Sequence, residues 1–299
     1  MDWAGFRSAA TFTFDDSQPS NIDYYDDLNS YGLPLTFFVS PCFADSHPNF
    51  DQAWTRAVVD GHEMGNHTVN HPASDLSANG GKNLGSHLAE IDQCTDYIKQ
   101  RFGQKEVLTF AAPYGDPGWI PYARQRFFVN RGVRSGNVGP LDDSDPFNLP
   151  VYPAKGGETA EPLIHELEAA REGGRWSIYM LHSILPGANW YAGVEMRYLG
   201  ECLAHAAAQA DLWTDTFAKV SAYWMGQKVF AAARVSAGAG IKTWAWDLPK
   251  HFPSGSYLRV QASGPLCQGG KPLSPYLLGG GPATYFEISL DAGSLSMAL

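Results

Sequence analysis

The chain has 299 residues and a formal charge of −10, from 21 Lys+Arg against 31 Asp+Glu. Hydrophobic residues at 44% and charged residues at 17% describe a folded globular chain with a large core, and exclude a disordered one. The acidic balance argues against nucleic acid or an anionic membrane as main partner, since both demand a positive face, and no apolar run approaches the roughly 18–20 residues of a membrane span.

In chain order, residues 9–14 (AATFTF) predict a strand, 22–30 a helix, 35–39 (LTFFV) a strand and 51–60 a helix. A longer helix is predicted over 82–102, where Leu84, Leu88, Ile91, Tyr97 and Ile98 share one stripe. Strands follow at 107–112 (VLTFAA) and 126–131 (RFFVNR), then a helix at 159–172, a strand at 176–181 (WSIYML) and a helix at 194–209. A strand–helix pair at 211–214 and 217–225 completes the alternation, which argues for a parallel sheet or barrel with helical crossovers. The texture then changes. Short strand candidates at 242–246, 256–260, 283–290 and the terminal LSMAL are separated by PSG, GGK and GGGP turns. From Val229 onward there are five basic and three acidic residues, so this segment is near +2 and the rest near −12. Two units are therefore expected, 1–228 and a small β-rich module over 229–299.

The aromatic content of 13% suits a secreted carbohydrate enzyme. Met1-Asp2-Trp3 carries no basic n-region or long apolar h-region, so the expectation is a secreted protein without its leader, with a cytoplasmic one left open. Cys42, Cys94, Cys202 and Cys267 follow no CxxC spacing and leave three pairings or four thiols open.

Three polar clusters directly follow predicted strands, where parallel α/β folds build their sites. The first, Thr13-Phe14-Asp15-Asp16-Ser17, offers two adjacent carboxylates that suit a cation plus a base, or else a solvated turn or helix cap. In the second, Gly61 to Pro72, His67 and His71 stand four residues apart and can converge on one metal if the segment turns; a His-rich surface loop is the alternative. With one Asp they make a facial triad suited to zinc or another divalent ion. The third, Tyr179-Met180-Leu181-His182-Ser183-Ile184, is a histidine leaving an apolar strand, a core residue by itself and a proton donor in this company.

The order TFDDS, HTVNH, FAAPYG, LHSI resembles the polysaccharide deacetylase family, the NodB-homology carbohydrate esterases, from about Ala9 to Trp224. The resemblance implies a distorted (β/α) barrel of the deacetylase type, here with the C-terminal β-rich, sandwich-like module. It implies that Asp16, His67 and His71 hold Zn2+ or another divalent metal such as Co2+ or Ni2+, with Thr68 orienting the metal loop. Asp15 is implied as general base and His182 as general acid. Pro113 and Tyr114 are implied to shape the acetate pocket, the Tyr114 N–H serving as oxyanion donor, and Leu181 to line the methyl pocket.

The chain departs from the family pattern at several points. Ser17 stands where glycine is frequent, and the arginine that often precedes the Pro-Tyr pair is absent from Phe110-Ala111-Ala112-Pro113-Tyr114. Arg131 or Arg134 is a replacement from the next strand, or both are surface residues. No clean match orients the acid; Asp142, Asp143 and Asp145 lie nearby. Trp119, Trp190 and Tyr191 are candidates for stacking on sugar rings, with Trp190 carried forward as substrate-binding, or else they pack in the core. Trp244, Trp246 and Tyr257 form either a sugar platform or one buried sheet face. His62 is read as structural, and His47, His87, His165, His205 and His251 are assigned nothing.

The function expected is metal-dependent hydrolysis of N-acetyl or O-acetyl groups on a polysaccharide or oligosaccharide, chitin-like, peptidoglycan-like or acetylxylan-like. The alternatives are a related C–N hydrolase acting on a small cyclic amide, and an inactive carbohydrate-binding relative. Intact Asp15 and His182 argue against the last, because binding needs neither base nor acid.

Overall fold

Seven parallel strands close around a shared interior, and an eighth wedges into one seam. The computed structural model describes residues 1–77, 82–187, 191–275 and 284–298. The barrel strands are β1 (Ser8–Phe14), β2 (Thr36–Val39), β3 (Glu63–Asn66), β4 (Thr109–Ala111), β5 (Val129–Ser135), β6 (Leu149–Pro153) and β7 (Trp176–Leu181). Each pairs in parallel with the next, and β7 returns to β1 along Ala9–Phe14. A short parallel pair, β8 (Ile184–Leu185) and β9 (Val194–Glu195), follows β7. On the other edge of β1, β10 (Leu212–Thr214) occupies Ser8 to Ala10, so β2 meets β1 only at Thr13 and Phe14. That shared edge distorts the barrel, which is otherwise the parallel fold predicted from the strand–helix alternation.

The helices lie between the strands: α1 (Pro19–Asp23), α2 (Tyr25–Asn29), α3 (Phe50–Val59), α4 (His87–Tyr97), α5 (Ile120–Ala123), α6 (Ala160–Glu172), α7 (Met196–Ala207) and α8 (Phe217–Ala231). The helix predicted from residue 82 begins later, because the Leu84 N–H donates to the Glu90 carboxylate and Ser86 caps α4 through its hydroxyl. Beyond Tyr97 the turn widens into a π-helical segment, Ile98–Phe102, which ends at Gly103 with φ +77°.

Strand alternation separates two cores. Phe12, Phe14, Phe37, Val39, Met64, Phe110, Tyr179 and Leu181 face the helices. Ala9, Phe38, Ala111, Val129, Leu149, Val151, Trp176 and Ile178 fill the interior, which Trp3 and the α8 residues Phe217, Val220 and Trp224 also join. Continuing that period past the strand ends turns Asp15, His67 and His182 inward at the C-terminal rim. Two barrel strands carry no sequence signal. In β3 (Glu-Met-Gly-Asn) the polar residues are buried, with Glu63 accepting from Thr36, Thr109 and the Ala218 N–H. In β6 Pro150 and Pro153 mask a strand that pairs with both β5 and β7.

The C-terminal region is antiparallel. Strands β11 (Arg234–Gly238), β12 (Ile241–Ala245), β13 (Tyr257–Ala262), β14 (Leu266–Gln268), β15 (Lys271–Pro272), β16 (Thr284–Ser289) and β17 (Ser294–Ala298) form a five-stranded sheet, β11-β12-β17-β14-β15, and the pair β13–β16. They enclose Trp246, Leu258, Leu266, Phe286, Ile288, Leu290 and Leu295, together with Ala4 and Tyr223 of α8. Trp246 is buried there, its indole N–H donating to the Leu290 carbonyl at 2.8 Å, and Trp244 and Tyr257 pack against the same cluster. These three aromatics thus pack in one core cluster, with Trp244 and Tyr257 on different sheets. Because α8 runs to Ala231, the chain crosses into this region at residues 232–233. No helix among the described residues is long and apolar enough to cross a membrane.

Candidate metal centre and cleft

The rim residues converge because the strands end in register: Phe14 lies beside Leu181, Val39 beside Asn66, and Ala111 beside Arg131. The next residue on three of these strands is functional. Asp16 Oδ1 stands 3.3 Å from His67 Nε2 and 3.3 Å from His71 Nε2, and one donor atom from each residue falls within 4.8 Å of the others.

Local backbone geometry builds this convergence. Asp16 and Ser17 adopt φ of +70° and +50°, reversing the chain after β1, and Ser17 Oγ accepts the Ser40 N–H at 3.2 Å. Thr68 and His71 are also left-handed, at φ +65° and +51°. That loop is pinned from several sides. Asn66 Oδ1 accepts the Thr68 N–H at 2.9 Å, Thr68 Oγ1 accepts the His71 N–H at 3.1 Å, and the buried Glu90 carboxylate takes both the N–H and side-chain amide of Asn70. Asn66 and Glu90 went unassigned in the sequence, though the asparagine one residue before His67 is the signal that points to the first.

The donor set suits a divalent cation. His67 Nδ1 lies 2.7 Å from the Ala111 carbonyl, which fixes its proton there and leaves the Nε2 lone pair facing Asp16 and His71. Burial opposes ionisation of Asp16, but the surrounding His67, His71 and His182 outweigh it and hold the carboxyl below its usual range. For His67 burial works against the charged ring, while Asp16 and Asp15 more than offset it and raise its pKa. Burial, helped by His67, pushes His71 down to about 4, so its ring is neutral near pH 7. Buried Asp16 Oδ1 has no hydrogen-bond partner among the described residues, which leaves its lone pairs available to a cation. Asp16, His67 and His71 form a cluster that could hold a divalent metal ion.

Beside it, the Asp15 N–H donates to the Leu181 carbonyl at 2.9 Å, and its carboxylate meets the buried Arg131 guanidinium. Arg131 Nη1 also donates to the Gly132 carbonyl at 3.0 Å, and its Cζ lies 5.3 Å from the Phe38 ring centroid. The two arginines of the sequence thus separate: Arg131 reaches Asp15, while Arg134 is exposed. His182 Nε2 stands 3.8 Å from Asp15 Oδ2 and 4.0 Å from Asp16 Oδ2. Burial pushes the His182 pKa down, against the pull of Asp15 and Asp16. Its buried Nδ1 has no hydrogen-bond partner among the described residues. None of the three aspartates takes that place: Asp142 accepts the Gly139 and Ser144 N–H groups, Asp145 pairs with Arg124, and Asp143 is exposed.

These groups open on a cavity of about 620 Å³ lined also by Gln18, Phe43, Ala112, Tyr114, Val133, Met180 and Tyr191. Tyr114, at φ +59°, sets its ring edge-on to His71 with centroids 4.5 Å apart. Pro113 is buried at the start of that turn. Leu181 faces the helix-side core, and its neighbour Met180 faces the cavity. Tyr191 is 62% exposed and stands edge-on to His182 at 4.7 Å, whereas Trp119 is buried with its indole N–H on the Pro72 carbonyl. Trp190 lies outside the described residues.

Comparisons with known proteins agree with this geometry. A family model described as polysaccharide deacetylase matches residues 6–125. Over 186 residues the chain is 30% identical to a chitooligosaccharide deacetylase of Azorhizobium caulinodans, covering 60% of this chain and 76% of that one. Over 106 residues it is 35% identical to a chitooligosaccharide deacetylase of Sinorhizobium fredii, covering 34% of this chain and 45% of that one, so this match spans less than half of the relative. Among solved structures, a Mycobacterium smegmatis protein assigned to the polysaccharide deacetylases shares the fold at a TM-score of 0.55 and 17% identity, covering 76% of this chain and 94% of that one. The sequence match through three quarters of the Azorhizobium relative places this chain in its family: it belongs to the polysaccharide deacetylases.

Proposed function

We propose that the protein removes acetyl groups from a carbohydrate by metal-dependent hydrolysis, with N-acetylated oligosaccharides of the chitin type as the leading substrate and O-acetylated xylan as the second class. The observation that carries the reading is the meeting of a base, an acid and a metal triad at one cavity. The two relatives named as chitooligosaccharide deacetylases support the amide arm.

A divalent cation held by Asp16, His67 and His71 supplies Lewis-acid stabilisation of charge developing on the acyl oxygen. The protein residues divide the remaining work. Asp15, kept in place by Arg131, takes the proton of the attacking water. His182, 3.8 Å away, returns a proton to the departing amine or alkoxide. Tyr114, edge-on to His71, and Tyr191, edge-on to His182, both line the cavity and offer aromatic surface for a sugar to pack on. The Tyr114 N–H is assigned as the oxyanion donor, and Met180 lines the wall on which an acetyl methyl packs.

The test is acetate release from N-acetylchitooligosaccharides and acetylated xylooligosaccharides, with chelator and after zinc is restored. Release that stops with chelator and returns with zinc is expected. No release from any acetylated sugar by metal-loaded protein overturns the proposal.

A further inference from the structure

Gln18 has no part in the scheme above, yet its side chain is buried within the cleft. It occupies the cap position before α1 but makes no side-chain cap. Instead, the left-handed turn at Asp16 and Ser17 folds Gln18 back onto the site. Its Nε2 donates to Asp16 Oδ2 at 3.2 Å, and its Oε1 accepts from Ser183 Oγ at 3.0 Å. Ser183 directly follows His182 and is bound to Tyr191: its N–H donates to the Tyr191 carbonyl at 3.3 Å, and its Oγ accepts the Tyr191 N–H at 3.4 Å.

We propose that Gln18 is a positioning residue that fixes the Asp16 carboxylate for metal binding and ties it, through Ser183, to the segment bearing His182 and Tyr191. The inference rests on the reading of Asp16, His67 and His71 as metal ligands. An aspartate carboxylate rotates over a broad range about its last torsion, so it needs a partner to aim one oxygen. Gln18 holds Oδ2 and leaves Oδ1 toward the two imidazoles. The task suits an amide, which donates to a carboxylate and accepts from a hydroxyl at once. Leucine does neither, and glutamate keeps the acceptor but sets a second negative charge against Asp16.

The experiment titrates the purified, metal-stripped full chain with Co2+ and with Zn2+, against a chromophoric chelator, and records the visible spectrum of the cobalt form. Asp16→Ala should lose binding. Gln18→Leu should weaken it by about 10–100-fold and alter the cobalt spectrum, the range for partners that orient metal ligands. Gln18→Glu should alter the cobalt spectrum, because its carboxylate cannot donate to Asp16, and serves where the leucine variant fails to fold. Ser183→Ala, which removes no contact to a ligand, should weaken binding in the same direction, and the double variant with Gln18→Leu should bind no more weakly than Gln18→Leu alone. Wild-type affinity and spectrum in Gln18→Leu or Gln18→Glu, with Asp16→Ala inactive in binding, overturn the proposal, and additive losses in the double variant overturn the link through Ser183. Wild-type affinity in Asp16→Ala overturns the metal-site reading instead.

Discussion

Arg131 and Asp15 are 116 residues apart in sequence and form an ion pair in the barrel interior, with side chains only 1% and 5% exposed. Both charges are largely withdrawn from bulk water. Removing one partner leaves the other buried and uncompensated, which typically costs about 3–5 kcal/mol. Arg131→Met and Asp15→Asn should therefore each destabilise the protein, the first by about that amount. The double variant should recover much of the loss, and urea unfolding of all four proteins measures the coupling. Equal, additive losses would show that the pair does not act as a unit.

The same pair separates stability from chemistry. Asp15→Asn should retain cobalt or zinc with near wild-type affinity while turnover falls by about 10²–10⁴-fold, the usual contribution of a positioned base. Metal content after gel filtration and acetate release by the same sample give both quantities. Full activity in this variant would reject Asp15 as the base.

Metal removal should leave a folded but inactive chain. Zinc at a hundred times its dissociation constant should then raise the unfolding free energy by about 2.7 kcal/mol, provided the unfolded chain does not bind it. A melting curve that ignores added zinc would contradict a preformed site.

His62 gives a pH prediction remote from the metal. Its Nδ1 accepts the Leu35 N–H at 3.0 Å and its Nε2 lies 3.1 Å from Asn29 Oδ1, so the neutral ring satisfies both neighbours. Burial pushes its pKa down to about 4 from 6.5. As pH falls through 6.5 the unfolded ring takes a proton that the folded one refuses until about 4, so stability declines across that window and levels off below it. The loss is about 3 kcal/mol. Unfolding at pH 7.5 and pH 4 should show a steeper decline for wild type than for His62→Gln, and parallel declines would refute the assignment.

Gly65 tests the packing beneath the site. A methyl group there would overlap the Phe38 ring and lie 2.9 Å from Thr109 Oγ1. Phe38 in turn supports the His67 ring and the Arg131 guanidinium. Gly65→Ala should cost about 1–3 kcal/mol by overpacking and also lower turnover. An unchanged kcat would separate Phe38 from the site.

Asp15, Asp16 and His182 were legible as candidates because they follow strands whose apolar runs mark the barrel, and His67 and His71 because they stand four residues apart. β3 was not legible, since Glu63 and Asn66 are polar residues satisfied only by partners far along the chain. Arg131 stood as one of two candidates, because only closure of the barrel shows that its position in β5 faces Asp15 and that of Arg134 does not. Gln18 gave no signal: its role depends on a left-handed turn that neither Asp16 nor Ser17 announces. No side chain among the described residues orients His182 Nδ1, in line with the absence of a clean sequence match for such a group.

Asp16, Ser17, Thr68, His71 and Tyr114 all hold left-handed backbone without being glycine, and all five belong to the rim of the cleft or the metal loop. At about 1–3 kcal/mol each, their summed strain is of the same order as the net stability of a whole domain, about 5–15 kcal/mol. Strain at the rim of the cleft therefore takes a sizeable share of the margin against unfolding that the apolar interior provides. Selection for heat tolerance alone should accumulate glycine and asparagine at Ser17, Thr68 and Tyr114, whose side chains hold no metal, and the survivors should be sturdier and slower.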